Sequence, residues 1–286
     1  MKKIENNNCL VVGAGGFIGR RIIKALQNNL EVFTILRKKT NIFLSKKIKL
    51  INIDLLNKCD LLGLPKRIDM IIYLAQSEKF RDFPETASDI FQVNTVGVLR
   101  FLEYAKKAGA KTFILASSGG LDKVTDARLE SNLGFYYTTK LCSEMLAKSY
   151  SPFMNIIILR PFFVYGRGQR KNMLIPRLVD AVKKEKPILL DGRNGIKINP
   201  LHISDATSAI IKATSLTGQY TIDIAGPKAY TMRQIGEIIG KKLNKKPIFR
   251  IKKKKDSCNF IGNISKMTKL LTSPCISFEE GIEDLV

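Results

Sequence analysis

Short runs of apolar, mostly β-branched residues alternate with helical patterns through the first two-thirds of the chain. This alternation is typical of βαβ units, in which helices join parallel strands and cover both faces of the sheet. The runs predict strands at 8–12, 31–36, 48–52, 69–74, 111–116 and 155–160. Apolar residues at helical spacing predict helices near 17–28, 88–108, 135–150 and 231–243. The sequence therefore predicts an α/β fold with a Rossmann-like, doubly wound parallel sheet.

A glycine-rich turn follows the first predicted strand and reads Gly-Ala-Gly-Gly-Phe-Ile-Gly over residues 13–19. Glycines permit a tight turn and a close approach of the backbone to a pyrophosphate. The helix that begins there adds unpaired N–H groups and the positive end of its dipole. The turn therefore predicts dinucleotide binding. The expected contacts are Gly13, Gly16, Phe17, Ile18 and Gly19.

The second predicted strand ends in cations instead of a carboxylate. An Asp or Glu at this point binds the ribose hydroxyls of NAD, whereas this chain has Arg37-Lys38-Lys39. A guanidinium can bind a 2′-phosphate through two hydrogen bonds. The cations at the end of this strand favour NADP, with Arg37 expected to bind its 2′-phosphate. NAD stays open, because a solvated basic loop is also ordinary in a chain with a net charge of +23.

Sequence character changes after residue 165. Polar loops rich in Gly, Pro and Asn, at 166–172 and 191–200, separate shorter elements. We expect an NAD(P)-binding Rossmann domain over 1–165. We expect a smaller substrate-binding lobe, interleaved with the first, over 166–286.

Tyr136 and Lys140 lie four positions apart on a predicted helix and so share one face. A phenol with a pKa near 10 exchanges protons poorly at neutral pH. A lysine ammonium one turn away stabilises the phenolate and lowers that pKa. Tyr137 is a rival, but only three positions separate it from Lys140, so we favour Tyr136.

These motifs, with Ser117-Ser118 after the fifth predicted strand, resemble the extended short-chain dehydrogenase/reductase family. Its sugar-nucleotide epimerase/dehydratase branch is the most similar. The resemblance continues in family order along almost the whole chain, through Asp54-Leu55, Leu74-Ala75, Asn94-Thr95-Val96-Gly97, Leu159-Arg160-Pro161, Val164-Tyr165-Gly166, His202-Ile203-Ser204-Asp205-Ala206, Ile264-Ser265-Lys266 and Phe278-Glu279-Glu280-Gly281-Ile282.

The resemblance implies a role for each matching residue. Tyr136 is the expected acid/base, Lys140 holds the nicotinamide ribose, and Ser118 hydrogen-bonds to the reacting hydroxyl or carbonyl. Further cofactor contacts are expected from Asp54, Leu55, Leu74, Ala75, Asn94 and Pro161. Ser117 and Ser118 as strand-end caps, and Asn94 as a helix cap, are the structural alternatives.

The implied function is an NAD(P)-dependent epimerase that acts on a nucleotide-linked sugar, by hydride removal and return through a keto intermediate. An NADPH-dependent 4-keto sugar-nucleotide reductase is the alternative, because the same residues serve both reactions. A non-catalytic dinucleotide-binding protein of the same fold is a further alternative. A homodimer, formed through the helices near 88–108 and 135–150, is typical of the family.

The chain departs from the family pattern at the expected substrate pocket. Gly119-Gly120-Leu121 replaces the acid pair of the dehydratases, so 4,6-dehydration is not expected. Phe163 occupies the position of an Asn that contacts substrate phosphate in many members, and Ile198 that of an Arg on the diphosphate. The arginines that could compensate are Arg160, Arg167, Arg170 and Arg177.

Composition argues against several other classes. No aromatic residues interleave with the lysine clusters, so we expect no nucleic-acid partner despite the charge. Five cysteines without a C-x-x-C pair and a single histidine, His202, predict a reducing cytoplasm and no metal site. His202 is expected to be structural. No apolar run approaches the roughly 18–20 residues of a membrane helix, so no membrane partner is expected.

Overall fold

The protein is described by a computed structural model over residues 8–36, 48–56, 61, 63–121, 133–252 and 259–286. Arg37, the residue expected to contact a 2′-phosphate, lies outside these ranges. The chain divides into two compact units. The first comprises Met1–Arg160 and Ile210–Ile222, and the second comprises Pro161–Ala209 and Asp223–Val286.

A seven-stranded sheet forms the centre of the fold within the described residues, in the order β3-β2-β1-β4-β5-β6-β9. Its strands are β1 (Asn8–Val12), β2 (Glu31–Leu36), β3 (Ile48–Asn52), β4 (Met70–Tyr73), β5 (Thr112–Ala116), β6 (Asn155–Pro161) and β9 (Gln219–Ile224). Val12 pairs in parallel with Ile35 on one side and with Tyr73 on the other. The strand order therefore reverses between β1 and β4, where sheets of this kind bind their ligands. The predicted fold class is confirmed.

Helices of the first unit cover this sheet. They are α1 (Phe17–Leu26), α2 (Ala87–Phe91), a π-helix (Gln92–Val96), α3 (Gly97–Lys107) and α4 (Gly134–Ser149). The core includes Leu10, Ile71, Phe113 and Ile156 from four adjacent strands, packed with Phe101 of α3. Both faces of these four strands are buried, which explains why their sequences are continuous apolar runs.

The helix predicted at 88–108 is interrupted by the π-helix. The Tyr73 hydroxyl donates to the Val93 carbonyl oxygen at 2.6 Å, and the Ser143 hydroxyl donates to the Asn94 carbonyl oxygen at 2.5 Å. These two side chains thus bind carbonyl oxygens that would accept hydrogen bonds from backbone N–H groups in a regular α-helix. A Cβ on Gly97 would collide with the Tyr73 hydroxyl, so glycine is required where the regular helix resumes. A π-turn of this kind is frequent at functional sites.

The second unit contains two small sheets and its own core. Its elements are α5 (Leu174–Lys183), β7 (Ile188–Asp191), β8 (Lys197–Ile198), β10 (Tyr230–Thr231), α7 (Met232–Leu243), β11 (Phe249–Lys252), α8 (Ser265–Leu270), α9 (Phe278–Gly281) and a 3-10 helix (Ile282–Asp284). Between β8 and β9, α6 (Ile203–Ala213) passes from this unit into the first. The β10 strand pairs antiparallel with β8, and β11 pairs parallel with β7.

His202 lies in the core of the second unit. Its Nε2 is 3.1 Å from the Asp284 carboxylate, and its ring meets Tyr165 edge-on. The Ser204 N–H points at Nδ1 from 3.4 Å, so Nδ1 accepts and Nε2 donates. These contacts fit the structural role expected for this histidine. Across the residues that the structure describes, no helix has the length and apolar character needed to cross a membrane.

Candidate active site

The glycine turn lies directly against the end of β4. Gly13 has φ +91, and a Cβ there would come within 2.7 Å of the Ala75 N atom and 2.9 Å of the Leu74 carbonyl carbon. A Cβ on Gly19 would overlap the Gly13 carbonyl oxygen, so α1 could not begin as close to the turn. The structure thus brings together four of the residues predicted to contact a dinucleotide.

The amino end of α1 lies at this glycine turn. Gly16 is the N-cap in an extended conformation, no described side chain caps the helix, and its first turn carries no acidic residue. Gly16 is exposed, while Phe17 and Ile18 are half-buried. The first N–H groups of a helix have no partner within it, so this end is suited to an anion.

Tyr136 lies near the start of α4 and is buried. Its hydroxyl donates to Gln76 Oε1 at 3.3 Å. Burial raises the pKa of Tyr136 to about 12, while a hydrogen bond with the Ser118 side chain and the charge of Arg81 act in the opposite direction. The predicted acid/base and its predicted serine partner are therefore in contact.

Lys140 is only 3% exposed, one turn along the same helix. Its Nζ donates to the Ala116 carbonyl oxygen at 3.0 Å and lies 6.0 Å from the centroid of the Tyr136 ring. Burial lowers the pKa of Lys140 to about 8, partly offset by the charge of Glu144. The sequence predicted that Lys140 lowers the pKa of Tyr136. In the described part of the chain, burial of the phenol outweighs any such effect.

Asn94 connects the π-helix to α4. Its Oδ1 accepts from the Ser77 N–H at 3.0 Å, and its Nδ2 donates to Thr139 Oγ1 at 3.0 Å. Thr139 Oγ1 in turn donates to the Tyr136 carbonyl oxygen at 2.8 Å. Sequence analysis missed Thr139 and Ser143. Their four-residue spacing on the Lys140 helix was the available signal, since hydroxyls on a buried helix face need partners.

The two serines after β5 differ in their surroundings. Ser118 is half-buried and bonds to Tyr136. Ser117 is 6% exposed, and its Oγ has no hydrogen-bond partner among the described residues. A buried hydroxyl without a partner costs about 1–3 kcal/mol, so a bound ligand that supplied one would be favoured there.

The remaining predicted contacts lie at other strand ends. Asp54 follows β3, and its Oδ1 accepts from the Leu56 N–H at 3.1 Å. Leu55 packs against the core of the first unit. Pro161 is the last residue of β6 and is half-buried.

Arg160 is not available to a diphosphate in this arrangement. Its Nε and one terminal nitrogen each donate to a Glu144 oxygen at 2.8 Å, and the Glu144 side chain is 2% exposed. Of the four arginines that could compensate for Ile198, this one is committed to an internal ion pair. Phe163 has φ +43, a conformation that asparagine adopts more easily than phenylalanine. Its ring packs edge-on against Phe260.

A parallel sheet whose order reverses beside a glycine turn, with a buried tyrosine and lysine one helical turn apart, defines a Rossmann-type dinucleotide-binding fold. The chain belongs to the NAD dependent epimerase/dehydratase family, whose sequence profile matches residues 9–222.

Relatives of known sequence and structure agree with this assignment. UDP-glucuronate 4-epimerase of Thermodesulfobacterium geofontis is 28% identical over 310 residues, covering 97% of this chain and 94% of the relative. GDP-6-deoxy-D-talose 4-dehydrogenase of Aggregatibacter actinomycetemcomitans is 27% identical over 244 residues, covering 80% and 78%. The solved UDP-glucuronic acid 4-epimerase from Bacillus cereus, in complex with UDP-glucuronic acid and NAD, superposes with a TM-score of 0.83. It is 26% identical, with 97% of each chain covered.

Proposed function

We propose that this protein is an NAD(P)-dependent epimerase that inverts C4 of a nucleotide-linked sugar. The observation that carries the proposal is the buried Tyr136 hydroxyl, which contacts Ser118 and lies one turn from Lys140. The glycine turn belongs to the same unit. The names of two similar proteins, both 4-epimerases of UDP-glucuronic acid, support this choice of reaction.

The residues present fit a dinucleotide. Gly13 lets the turn lie against the end of β4, α1 has an uncapped amino end, and Ser117 Oγ lacks a described partner. A bound dinucleotide would supply the hydride acceptor and donor for the substrate carbon. The N–H groups of α1 would hold the pyrophosphate. Lys140 uses one of its three donors on the Ala116 carbonyl, so it can also bind ribose hydroxyls.

Tyr136 would take the proton from the C4 hydroxyl and later return it to the same oxygen, when the hydride returns to the opposite face of C4. Ser118, in contact with the phenol, would donate to the same oxygen and hold it in line. Burial raises the pKa of Tyr136 to about 12. The phenol can therefore act as a base only if positive charge nearby lowers that pKa. Arg81 supplies part of it, since its charge lowers the pKa of Tyr136.

Incubation with UDP-glucuronate or UDP-glucose, each with NAD⁺ or NADP⁺, tests this function. We expect the C4 epimer to form without net consumption of cofactor. Reduction of a 4-keto sugar with stoichiometric loss of NADPH would identify the reductase instead, and no dinucleotide binding at all would overturn both.

Parallel titrations with NADH and NADPH test Arg37. Tenfold tighter binding of NADPH is expected if Arg37 binds the 2′-phosphate, and tighter binding of NADH would contradict that role.

We propose a homodimer through the outer faces of α2 and α4. Phe91 on α2 is 44% exposed and Met145 on α4 is 69% exposed, both unusual for large apolar side chains on helices. Met145→Glu is expected to convert the dimer to a monomer, measured by sedimentation. Leu50→Glu, at an exposed apolar residue of β3, is the control and should leave the dimer intact. A monomeric wild-type protein would refute the interface.

A further inference from the structure

We propose that Gln76 is a positioning residue for Tyr136. When Tyr136 is a neutral phenol, the Gln76 amide oxygen accepts its hydrogen bond. When Tyr136 is a phenolate, the amide group rotates so that its NH₂ donates a hydrogen bond to the phenolate oxygen. The inference rests on the proposed function, because it assigns Gln76 a part in the proton exchange of that site.

The side-chain amide of Gln76 lies within hydrogen-bond distance of the Tyr136 hydroxyl. The Tyr136 hydroxyl donates to Gln76 Oε1 at 3.3 Å. The backbone on both sides of Gln76 is fixed. Ala75 lies against Gly13 of the glycine turn, and the Ser77 N–H donates to the buried Asn94 Oδ1 at 3.0 Å. The amide therefore extends from a held strand end, and only its side chain needs to turn.

The segment that follows Gln76 packs on the same tyrosine. The Phe80 ring lies 5.1 Å from the Tyr136 ring between centroids, and the Arg81 guanidinium lies 4.4 Å from the Phe80 centroid. Among the described residues, the charged or titratable groups recorded around Tyr136 are Tyr137 and Lys140 on its own helix and Arg81 on this segment. Ser118, after β5, is the neutral contact. Gln76, which follows β4, thus contacts the hydroxyl of a tyrosine on which Phe80 packs and on which the charge of Arg81 acts.

An amide suits a group that must act as both acid and base. A phenol has one proton to donate, and an acceptor facing it favours the neutral form. A phenolate only accepts, and a donor facing it favours the charged form. The Gln76 side chain carries both an acceptor and a donor, and its orientation follows from the hydrogen bond it makes. A carboxylate would favour the acid form alone, and an ammonium the base form alone.

Opposite charges at position 76 test the proposal. Gln76→Glu is expected to move the pH dependence of kcat/KM for C4 epimerisation of UDP-glucuronate upward by about 1–3 pH units, and Gln76→Lys to move it downward by a similar amount. A charge at position 76 also acts on the phenol directly, so Gln76→Met, which has a similar size but neither acceptor nor donor, tests the native amide. It is expected to lower kcat/KM, whereas a side chain that merely fills space would leave kcat/KM unchanged. Gln219, an exposed residue at the start of β9, provides the matched control. Gln219→Glu and Gln219→Lys should keep the wild-type profile. Shifts in one direction, or none, would overturn the proposal.

An optical titration gives a readout that needs no turnover. The chain has no Trp and eight Tyr, so tyrosinate absorbance is not masked by indole. The difference between Gln76→Lys and the double variant Gln76→Lys/Tyr136→Phe isolates one tyrosine. We expect it to ionise below about pH 11 in Gln76→Lys and above that in Gln76→Glu. Equal titration in both would refute the role of Gln76. Inactive wild-type protein on every UDP-sugar would instead refute the proposed function, with this titration still deciding on Gln76.

Discussion

Tyr136→Phe is expected to lower kcat for epimerisation by about a hundredfold to ten-thousandfold, the usual contribution of a positioned acid/base. The change removes only the hydroxyl. The ring keeps its contact with Phe80, so the fold and the dinucleotide site should persist. Steady-state kinetics measures the loss. The dissociation constant for NADH, measured by fluorescence, should stay near the wild-type value.

Tyr137 provides the control for that experiment, because it is the adjacent tyrosine and equally buried, with each residue 8% exposed. The Tyr136 hydroxyl contacts Ser118 and Gln76, and the proposed proton exchange does not use the Tyr137 hydroxyl. Tyr137→Phe should therefore change kcat no more than a few-fold. A large loss in Tyr137→Phe with full activity in Tyr136→Phe would reverse the assignment made from the four-residue spacing to Lys140.

The sequence predicted the sheet and the glycine turn because both follow local rules. Strands buried on both faces give continuous apolar runs. At position 13 a Cβ would come within 3 Å of the backbone that follows β4, so only glycine fits. The four-residue spacing of Tyr136 and Lys140 placed them on one face of α4 without further information. These features depend on neighbours in the chain or on a fixed helical repeat.

Other features depend on contacts that the sequence does not encode locally. The π-helix arises because Tyr73 and Ser143, from β4 and α4, bind carbonyls at Val93 and Asn94. Gln76 follows a predicted cofactor contact but meets Tyr136 sixty positions away. The pKa of Tyr136 was predicted from Lys140 alone, whereas burial, a property of the whole fold, is the largest effect on it.

Glu144→Gln is expected to lower the free energy of unfolding by about 3–5 kcal/mol, because it removes the buried carboxylate that is paired with the mostly buried Arg160 side chain. Glu144 is 2% exposed and receives two hydrogen bonds from Arg160, so the loss should far exceed that of an exposed pair. Urea unfolding measures it. Glu31→Gln is the matched control, since it breaks the exposed pair with Lys49 and should cost at most about 1 kcal/mol.

The same substitution also tests the electrostatic link between this ion pair and the active site. The charge of Glu144 raises the pKa of Lys140, and burial already lowers that pKa to about 8. Removing the charge should lower it further, so that Lys140 loses its proton nearer to neutral pH. The double variant Glu144→Leu/Arg160→Leu separates the two effects. It leaves no unpaired charge and should recover most of the lost stability, yet keep the lowered pKa of Lys140. Equal destabilisation in the single and double variants would show that Glu144 stabilises α4 by some means other than its pairing with Arg160.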